Sequence, residues 1–84
     1  MKASRVTVVI PNWNGKRFMK TCLDSLNNQT YTDYTTIVVD NGSTDGSVEY
    51  IEEAYPRVEV VRFAENRGFS AAVNEGIRRA RGEY

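Results

Sequence analysis

Two side chains that could contact a nucleotide, one acidic and one aromatic, each follow a short apolar segment. Asp40 comes directly after Ile37–Val39, and Trp13 comes shortly after Val6–Ile10. Ligands of open α/β sheets bind at the carboxyl ends of the strands, where both side chains would lie. The carboxylate can accept hydrogen bonds from a nucleobase or a ribose, and the indole can stack on a base. The two segments together predict a nucleotide pocket.

Asp40 has a second interpretation, because an Asp after a strand often closes a turn or caps the next helix. Asn41, Ser43, Thr44 and Asp45 follow it and could serve that purpose equally well. This redundancy would leave Asp40 available for a ligand, which is the interpretation we favour.

Trp13 could instead be a core aromatic residue. It follows Pro11 and Asn12 and precedes Asn14, and polar neighbours are a poor setting for a core side chain. Stacking on a base contributes ~1–3 kcal/mol in proteins that bind single-stranded nucleic acids. The sequence leaves both interpretations of Trp13 open.

Two further turns carry polar residues. Asp45 precedes the second predicted helix, where a carboxylate is favoured by the helix dipole, so we expect a cap and not a catalyst. Asn66, Arg67 and Gly68 precede the third helix. That helix N-terminus could receive phosphate oxygens with Arg67 supplying charge, or it could be a plain capped turn.

The hydrophobic pattern predicts strands and helices in the alternating order β-α-β-α-β-α. The predicted strands are the apolar runs Val6–Ile10, Ile37–Val39 and Val58–Phe63, the last being an edge strand. The predicted helices bury three sets of apolar residues: Phe18, Met19, Cys22, Leu23 and Leu26; Val48, Ile51 and Tyr55, before Pro56; and Phe69, Val73, Ile77 and Ala80. This alternation is typical of a three-layer α/β fold with a mainly parallel sheet.

The composition of the chain argues against several classes of protein and of site. The 84 residues carry a formal net charge of +0, which argues against a nucleic-acid-binding module. The single cysteine, Cys22, excludes an intrachain disulfide, and without His any metal would need oxygen ligands. No apolar run approaches the ~20 residues that cross a membrane, and the first five residues do not resemble a signal peptide. We therefore expect a cytoplasmic protein.

Four segments in order resemble the N-terminal part of family 2 glycosyltransferases, and together they span most of the chain. They are VVIPNWNG at 8–15, CLDSLNNQTY at 22–31, VVDNGSTDGS at 38–47 and ENRGFSAAVNEG at 65–76. The last segment is most similar to bacterial rhamnosyltransferase-like members, which build cell-surface polysaccharides.

The resemblance implies a GT-A fold, of which the chain would be the Rossmann-like half, and transfer with inversion at the sugar carbon. It places Pro11, Asn12 and Trp13 around the base and lets Asp40 bond the uracil or thymine ring. Asp45 matches a recurring acid, and Arg67 and Asn74 match positions near the nucleotide. The predicted nucleotide-binding residues are Pro11, Asn12, Trp13, Asp40, Asn41 and Arg67.

The family pattern continues past Tyr84, the last residue of this sequence. In family members Gly-Glu-Tyr leads into a strand with an Asp-x-Asp motif, which binds a divalent Mg or Mn on the diphosphate. The general base follows later, so the resemblance places it beyond Tyr84. We therefore expect residues 1–84 to be a partial domain with no catalytic or metal-binding residue of its own. The Val6–Ile10 strand would keep an unpaired edge, which predicts self-association.

Two functions remain from these observations. The first is the nucleotide-sugar-binding segment of an enzyme that moves a sugar from a UDP- or dTDP-sugar to a saccharide or lipid-linked acceptor, which would place it at the inner face of the cell membrane. The second is a non-catalytic α/β association module with a degenerate nucleotide pocket. A flavodoxin-like domain is disfavoured, since no acidic cluster or phosphate loop follows the first strand.

Overall fold

Strands and helices alternate along the chain in the predicted order. A computed structural model describes residues 6–28 and 34–82. Its elements are β1 (Val6–Asn12), α1 (Lys16–Asn27), β2 (Tyr34–Asp40), α2 (Ser47–Ala54), β3 (Glu59–Arg62) and α3 (Phe69–Gly82). The predicted α/β class is therefore confirmed.

Two predictions fall on the ends of the sequence and lie outside the described residues. One is the prediction that residues 1–5 are not a signal peptide. The other is the start of a fourth strand at Glu83 and Tyr84, after the last described residue, Gly82. That the family pattern continues beyond Tyr84, with the metal motif and the general base, therefore stays a prediction.

The sheet is parallel, with the strands in the order β1-β2-β3. Asn12 pairs with Asp40, and Asp40 pairs with Arg62 on its other side. The carboxyl ends of all three strands therefore meet at one edge of the sheet. β3 is an edge strand as predicted, and β1 is the opposite edge within the described residues.

Two apolar clusters cover the two faces of β2. Val38 packs with Met19 and Leu23 of α1 and with Ile51 of α2. Ile37 and Val39 face the other way and form the second cluster with Val61 and Ala72. Since side chains alternate along a strand, the continuous apolar run of β2 is what lets it lie between two helical layers.

β1 is less buried than its apolar sequence predicts. Val6 is exposed and residues 7–11 are half-buried, whereas Thr36–Asp40 of β2 are buried throughout. A strand with a neighbour on one side only has less cover, but both faces of β1 still meet a helical layer, since Ile10 packs against the first cluster and Val9 against the second.

Two helix faces also differ from the prediction. In α1 Met19 and Leu23 are buried, Cys22 is half-buried and Phe18 is exposed. In α3 the predicted face is wrong at its largest members, because Phe69 is 71% and Ile77 is 44% exposed. The helix turns small residues toward the sheet: Ala72 and Gly76, which were not predicted, and Ala80, which was.

The close approach of α3 to the sheet explains this difference. A Cβ atom on Gly76 would lie 2.2 Å from Cγ1 of Val9, far inside van der Waals contact. Only a glycine at this position allows the helix to pack at its observed distance. None of the helices in residues 6–28 and 34–82 is long and apolar enough to span a membrane.

Candidate nucleotide site at the strand ends

The ends of β1 and β2 are joined by a buried side-chain hydrogen bond. Nδ2 of Asn12 donates to Oδ1 of Asp40 at 2.9 Å, and the two residues are 4% and 1% exposed. The backbone N–H of Asn41 donates to the carbonyl of Asn12 at 2.8 Å. Parallel pairing thus brings the predicted acidic residue against the segment that carries the predicted aromatic one.

Asp40 also closes the turn that follows it. Its Oδ2 accepts from the Ser43 N–H at 2.9 Å, and its Oδ1 accepts from the Ser43 hydroxyl at 2.8 Å. The premise that neighbouring residues would close this turn and leave Asp40 unused is therefore wrong. Gly42 has a φ of +80°, and a Cβ there would lie 2.8 Å from the backbone of Glu65, so the turn requires glycine.

Asp40 nevertheless lines a surface cleft of about 400 Å³. The cleft lies beyond the carboxyl ends of β2 and β3, and its walls are Asp40, Gly42, Ser43, Thr44, Arg62, Phe63 and Ala64. Nη2 of Arg62 lies 3.7 Å from Oε2 of Glu49, and both side chains are more than half exposed. Such a pair is weak, so Arg62 can turn toward a ligand in this cleft.

Trp13 is 57% exposed, which excludes the interpretation that it is a core residue. It borders a second cleft of about 220 Å³ at the end of β1. The residues around this cleft are Pro11, Asn12, Trp13, Asn41, Asn66 and Phe69. An exposed indole beside a cleft can stack on a flat ring without first leaving the core.

The turn that carries Trp13 is tied to the turn after Asp40. The N–H of Asn14 donates to Oγ of Ser43 at 2.8 Å, and Thr44 N–H donates to Oδ1 of Asn14 at 2.8 Å. Asn14 has a φ of 51°, a conformation that Asn tolerates better than most residues. We refer to Asn12, Asn14, Asp40 and Ser43 as the strand-end network.

Asn41 tethers the loop before α3. Its Oδ1 accepts from Arg67 N–H at 2.9 Å, and its Nδ2 donates to the Gly68 carbonyl at 3.0 Å. The Arg67 guanidinium lies over the ring of Phe63, 4.7 Å from the centroid, and it borders neither cleft. The structure thus brings together Pro11, Asn12, Trp13, Asp40 and Asn41, with Arg67 at the margin.

Asp45 joins the N-termini of two helices. Its Oδ2 accepts from Lys16 N–H at 3.0 Å, and its Oδ1 accepts from Ser47 N–H at 3.0 Å and from the Ser47 hydroxyl. The residues at the cap positions, Gly15 and Gly46, have no side chain that could do this. Partial desolvation acts to raise the pKa of Asp45, but these hydrogen bonds keep it below its ordinary value. The prediction that Asp45 is a capping residue is confirmed.

Two parts of this site were not predicted. Ser43 was considered only as a cap for α2, yet its hydroxyl bonds Asn12, Asn14 and Asp40. Arg62 was not predicted as a site residue, because in the sequence it only makes the run Val58–Phe63 less uniformly apolar, as is typical of an edge strand. The Asn14-Gly15 dipeptide marks a turn in the sequence, but nothing in it shows which residue 29 positions later would meet that turn.

A metal could be held only by carboxylates and other oxygens in this chain. Within residues 6–28 and 34–82 no group of three or more Asp, Glu, Cys or His side chains is arranged to bind one.

Comparison with known proteins identifies the family. The sequence model of Glycosyl transferase family 2 matches residues 7–84. The chain belongs to this family. The fold of the chain is that of a GT-A glycosyltransferase, as the resemblance implied.

Relatives of this family 2 chain are considerably longer than it is. It is 42% identical to the uncharacterized glycosyltransferase YibD of Escherichia coli, over 96% of the chain and 24% of the relative. It is 36% identical to the chondroitin synthase of Escherichia coli, over 94% of the chain and 12% of the synthase. The chain also superposes on the mannosyltransferase PcManGT of Pyrobaculum calidifontis, solved in complex with GDP-Man and Mn2+, with a TM-score of 0.79. The two sequences are 31% identical, and the match covers 94% of this chain and 25% of PcManGT. The chain thus spans about a quarter of the length of YibD and PcManGT, and less of the synthase.

Proposed function

We propose that residues 1–84 are the nucleotide-sugar-binding segment of a glycosyltransferase of the hexosyltransferase class. The whole enzyme would move a sugar from a UDP- or dTDP-sugar to a saccharide or lipid-linked acceptor, with inversion at the sugar carbon. The proposed setting is cell-surface polysaccharide synthesis at the cytoplasmic face of the membrane. Family membership supports the reaction class, and the resemblance supports the donor and the setting.

One observation carries the proposal for the nucleotide. The exposed indole of Trp13 and the buried carboxylate of Asp40 lie on adjacent strand ends, joined through the 2.9 Å bond from Asn12. We propose that a base stacks on the indole in the cleft that Asn12 and Asn41 also border, and that it turns its edge toward Asp40. Arg62, at the end of the neighbouring strand, adds a positive charge that suits the diphosphate.

The proposed role of this segment is to bind and orient the donor and not to complete the transfer. In an inverting reaction an acceptor hydroxyl attacks the sugar carbon as the nucleoside diphosphate leaves, and a general base removes the proton of the hydroxyl. The resemblance assigns that base, and the Asp-x-Asp motif for the metal, to residues beyond Tyr84. We therefore propose that the 84 residues bind donor without turnover.

A divalent metal, Mg or Mn, is proposed for the full-length enzyme only. The complex of PcManGT with GDP-Man and Mn2+ supports this proposal for a relative of similar fold. Within residues 6–28 and 34–82 no such group of ligands is found, so the proposed metal ligands are those that the resemblance assigns beyond Tyr84.

Saturation-transfer NMR with UDP, dTDP and GDP tests nucleotide binding directly. We expect signals from the base protons of UDP and dTDP, and their loss in Asp40→Ala. Glu53→Ala is the matched control, because Glu53 is exposed on α2 and borders neither strand-end cleft. Equal signals from parent and Asp40→Ala would remove Asp40 from the site.

A second candidate function is a non-catalytic association module. β1 is at the edge of the described sheet, and Val6 is 45% exposed there. The edge strand of a sheet can pair with a second copy of the chain. Sedimentation at low and high protein concentration should then show a concentration-dependent oligomer, and a monomer at every concentration would contradict this function.

A further inference from the structure

The ring of Trp13 is exposed, but the backbone on either side of it is fixed. Before it, the carbonyl of Asn12 accepts the N–H of Asn41 at 2.8 Å, and Nδ2 of Asn12 donates to Oδ1 of Asp40 at 2.9 Å. After it, both the backbone N–H and the side chain of Asn14 are hydrogen-bonded. The structure therefore presents an exposed indole on a backbone that is held at both flanking residues.

The two bonds of Asn14 join the Trp13 turn to the turn after β2. Its N–H donates to Oγ of Ser43, and its Oδ1 accepts from the N–H of Thr44, both at 2.8 Å. The Ser43 hydroxyl in turn donates to the buried carboxylate of Asp40 at 2.8 Å. Asn14 has a φ of 51°, which Asn and Asp tolerate better than most residues with a side chain. Its backbone conformation and its side chain thus both suit this junction.

The bonds of Asn14 affect a ligand in the Trp13 cleft only indirectly. Asn14 is exposed and is not one of the walls of that cleft. A mobile aromatic residue loses conformational freedom when a flat ring stacks on it, and that loss weakens binding. Because the two bonds order the backbone beside Trp13 in advance, a stacked complex forms with less loss of freedom.

We propose that Asn14 and Ser43 are positioning residues, which hold the Trp13 turn in the conformation that stacking on a base requires. This inference rests on the proposed function, in which a base stacks on Trp13, and it does not depend on which group the edge of the base meets. The apparent dissociation constant is the intrinsic constant divided by the fraction of molecules in the binding-competent conformation. Loosening of the turn should therefore weaken binding, although Asn14 does not line the cleft.

Three substitutions of Asn14 separate its hydrogen bond from its backbone conformation. Asn14→Asp keeps an acceptor for the Thr44 N–H and tolerates a positive φ. Asn14→Gly keeps the conformation but removes the acceptor, and Asn14→Ala removes the acceptor and disfavours the conformation. Uridine is the probe, because it has no phosphate that the added charge of Asn14→Asp would repel. In titrations followed by saturation-transfer NMR, we expect binding within about twofold of the parent for Asn14→Asp, about threefold weaker for Asn14→Gly and about tenfold weaker for Asn14→Ala.

The fluorescence of Trp13 follows the turn itself, since this residue is the only tryptophan of the chain. We expect a larger fast component in the anisotropy decay of Asn14→Gly and Asn14→Ala than in that of the parent and Asn14→Asp, and its suppression by saturating uridine. Asn27→Ala is the matched control and should change neither the decay nor the affinity, because Asn27 is exposed at the end of α1 and borders neither strand-end cleft. A role in overall stability alone would not produce this order among folded variants.

The possible failures of the inference and of the proposed function can be told apart. If the parent protein binds uridine and folded Asn14→Ala binds it equally tightly, or if affinity falls while the anisotropy decay of Trp13 stays unchanged, the positioning role is overturned and the nucleotide site stands. If the parent protein binds none of uridine, UDP and dTDP, both are overturned. If Asn14→Ala does not fold, Asn14→Gly decides the question: an affinity equal to that of Asn14→Asp overturns the role, and a weaker affinity with a more mobile Trp13 supports it.

Discussion

The strand-end network and the contact of α3 with the sheet show two different ways in which this chain fixes its structure. The network is buried and polar, and its positions are defined by directional hydrogen bonds. The α3 contact is apolar and is made by small residues of the helix, so its geometry is set by how closely the helix approaches the Val9 side chain. The first arrangement lies beside the exposed ring of Trp13, whereas the second is closely packed at Gly76. Side-chain hydrogen bonding at the strand ends is therefore suited to a binding site, whereas close packing of α3 stabilises the sheet that carries the site.

Asp40→Ala should have the largest effect, because it removes the acceptor that three donors share. Nδ2 of Asn12 and both donors of Ser43 would lose their bonds, and we expect a loss of about 3 kcal/mol in the free energy of unfolding. Nucleotide binding should disappear as well. Urea denaturation measures the stability, with Glu53→Ala as a control expected to stay within about 0.5 kcal/mol of the parent. A stable Asp40→Ala protein would contradict the view that the network is structural.

Gly76→Ala tests the α3 contact in isolation. The added Cβ would lie 2.2 Å from Cγ1 of Val9, so the helix or the strand must move. Overpacking of this kind costs about 1–3 kcal/mol, and the higher helix propensity of Ala offsets part of it. We expect a net loss of about 1–2 kcal/mol in denaturation, with nucleotide affinity per folded molecule unchanged. Ser70→Ala, an exposed site on α3, is the control, and a Gly76→Ala protein more stable than the parent would show that α3 is not closely packed.

Trp13→Ala should separate binding from stability. With 57% of the residue exposed, the indole contributes little to the core, so the free energy of unfolding should change by less than about 0.5 kcal/mol. Loss of stacking should weaken UDP binding about tenfold. Phe18→Ala removes a similarly exposed aromatic residue away from both clefts and should leave UDP binding unchanged. Equal affinities of parent and Trp13→Ala would place the base elsewhere.

Glu75→Gln should have the smallest effect, and only in acid. The guanidinium groups of Arg78 and Arg79 hydrogen-bond Glu75 and lower its pKa to about 2. A lowered carboxylate pKa in the folded state adds stability above the pKa of the unfolded state, and this stability is lost as the pH falls toward about 2. The substitution should therefore flatten the decline of stability between about pH 5 and pH 2. Glu53→Gln is the control, and an unchanged slope in Glu75→Gln would contradict the assignment.

The order of the elements could be predicted from the sequence because each is specified locally. Apolar runs such as Ile37–Val39 and breakers such as Pro56 act within a few residues, and all six elements lie where they were expected. The buried face of α3 could not be predicted, because the pattern gives weight to large residues such as Phe69, whereas a close contact requires small ones such as Gly76.

Some residues of the candidate site could likewise be predicted from the sequence, and others could not. Asp40 and Trp13 could be found by type, since each follows an apolar strand. The function of Ser43 depends on a turn 29 residues earlier in the chain, which only parallel pairing of β1 and β2 brings near. The predicted residue Arg67 lies over Phe63 and outside both clefts, so its role in binding stays a prediction.

Titration of the 15N-labelled protein with UDP, followed by two-dimensional NMR, tests the central claim most directly. We expect the largest shifts at the indole N–H of Trp13, the side-chain amide of Asn12 and the backbone N–H of Ser43, with α3 from Ala72 onward unaffected. Shifts confined to α3 or to the far ends of the strands, or no shifts with UDP in large excess, would contradict a nucleotide site at the strand ends.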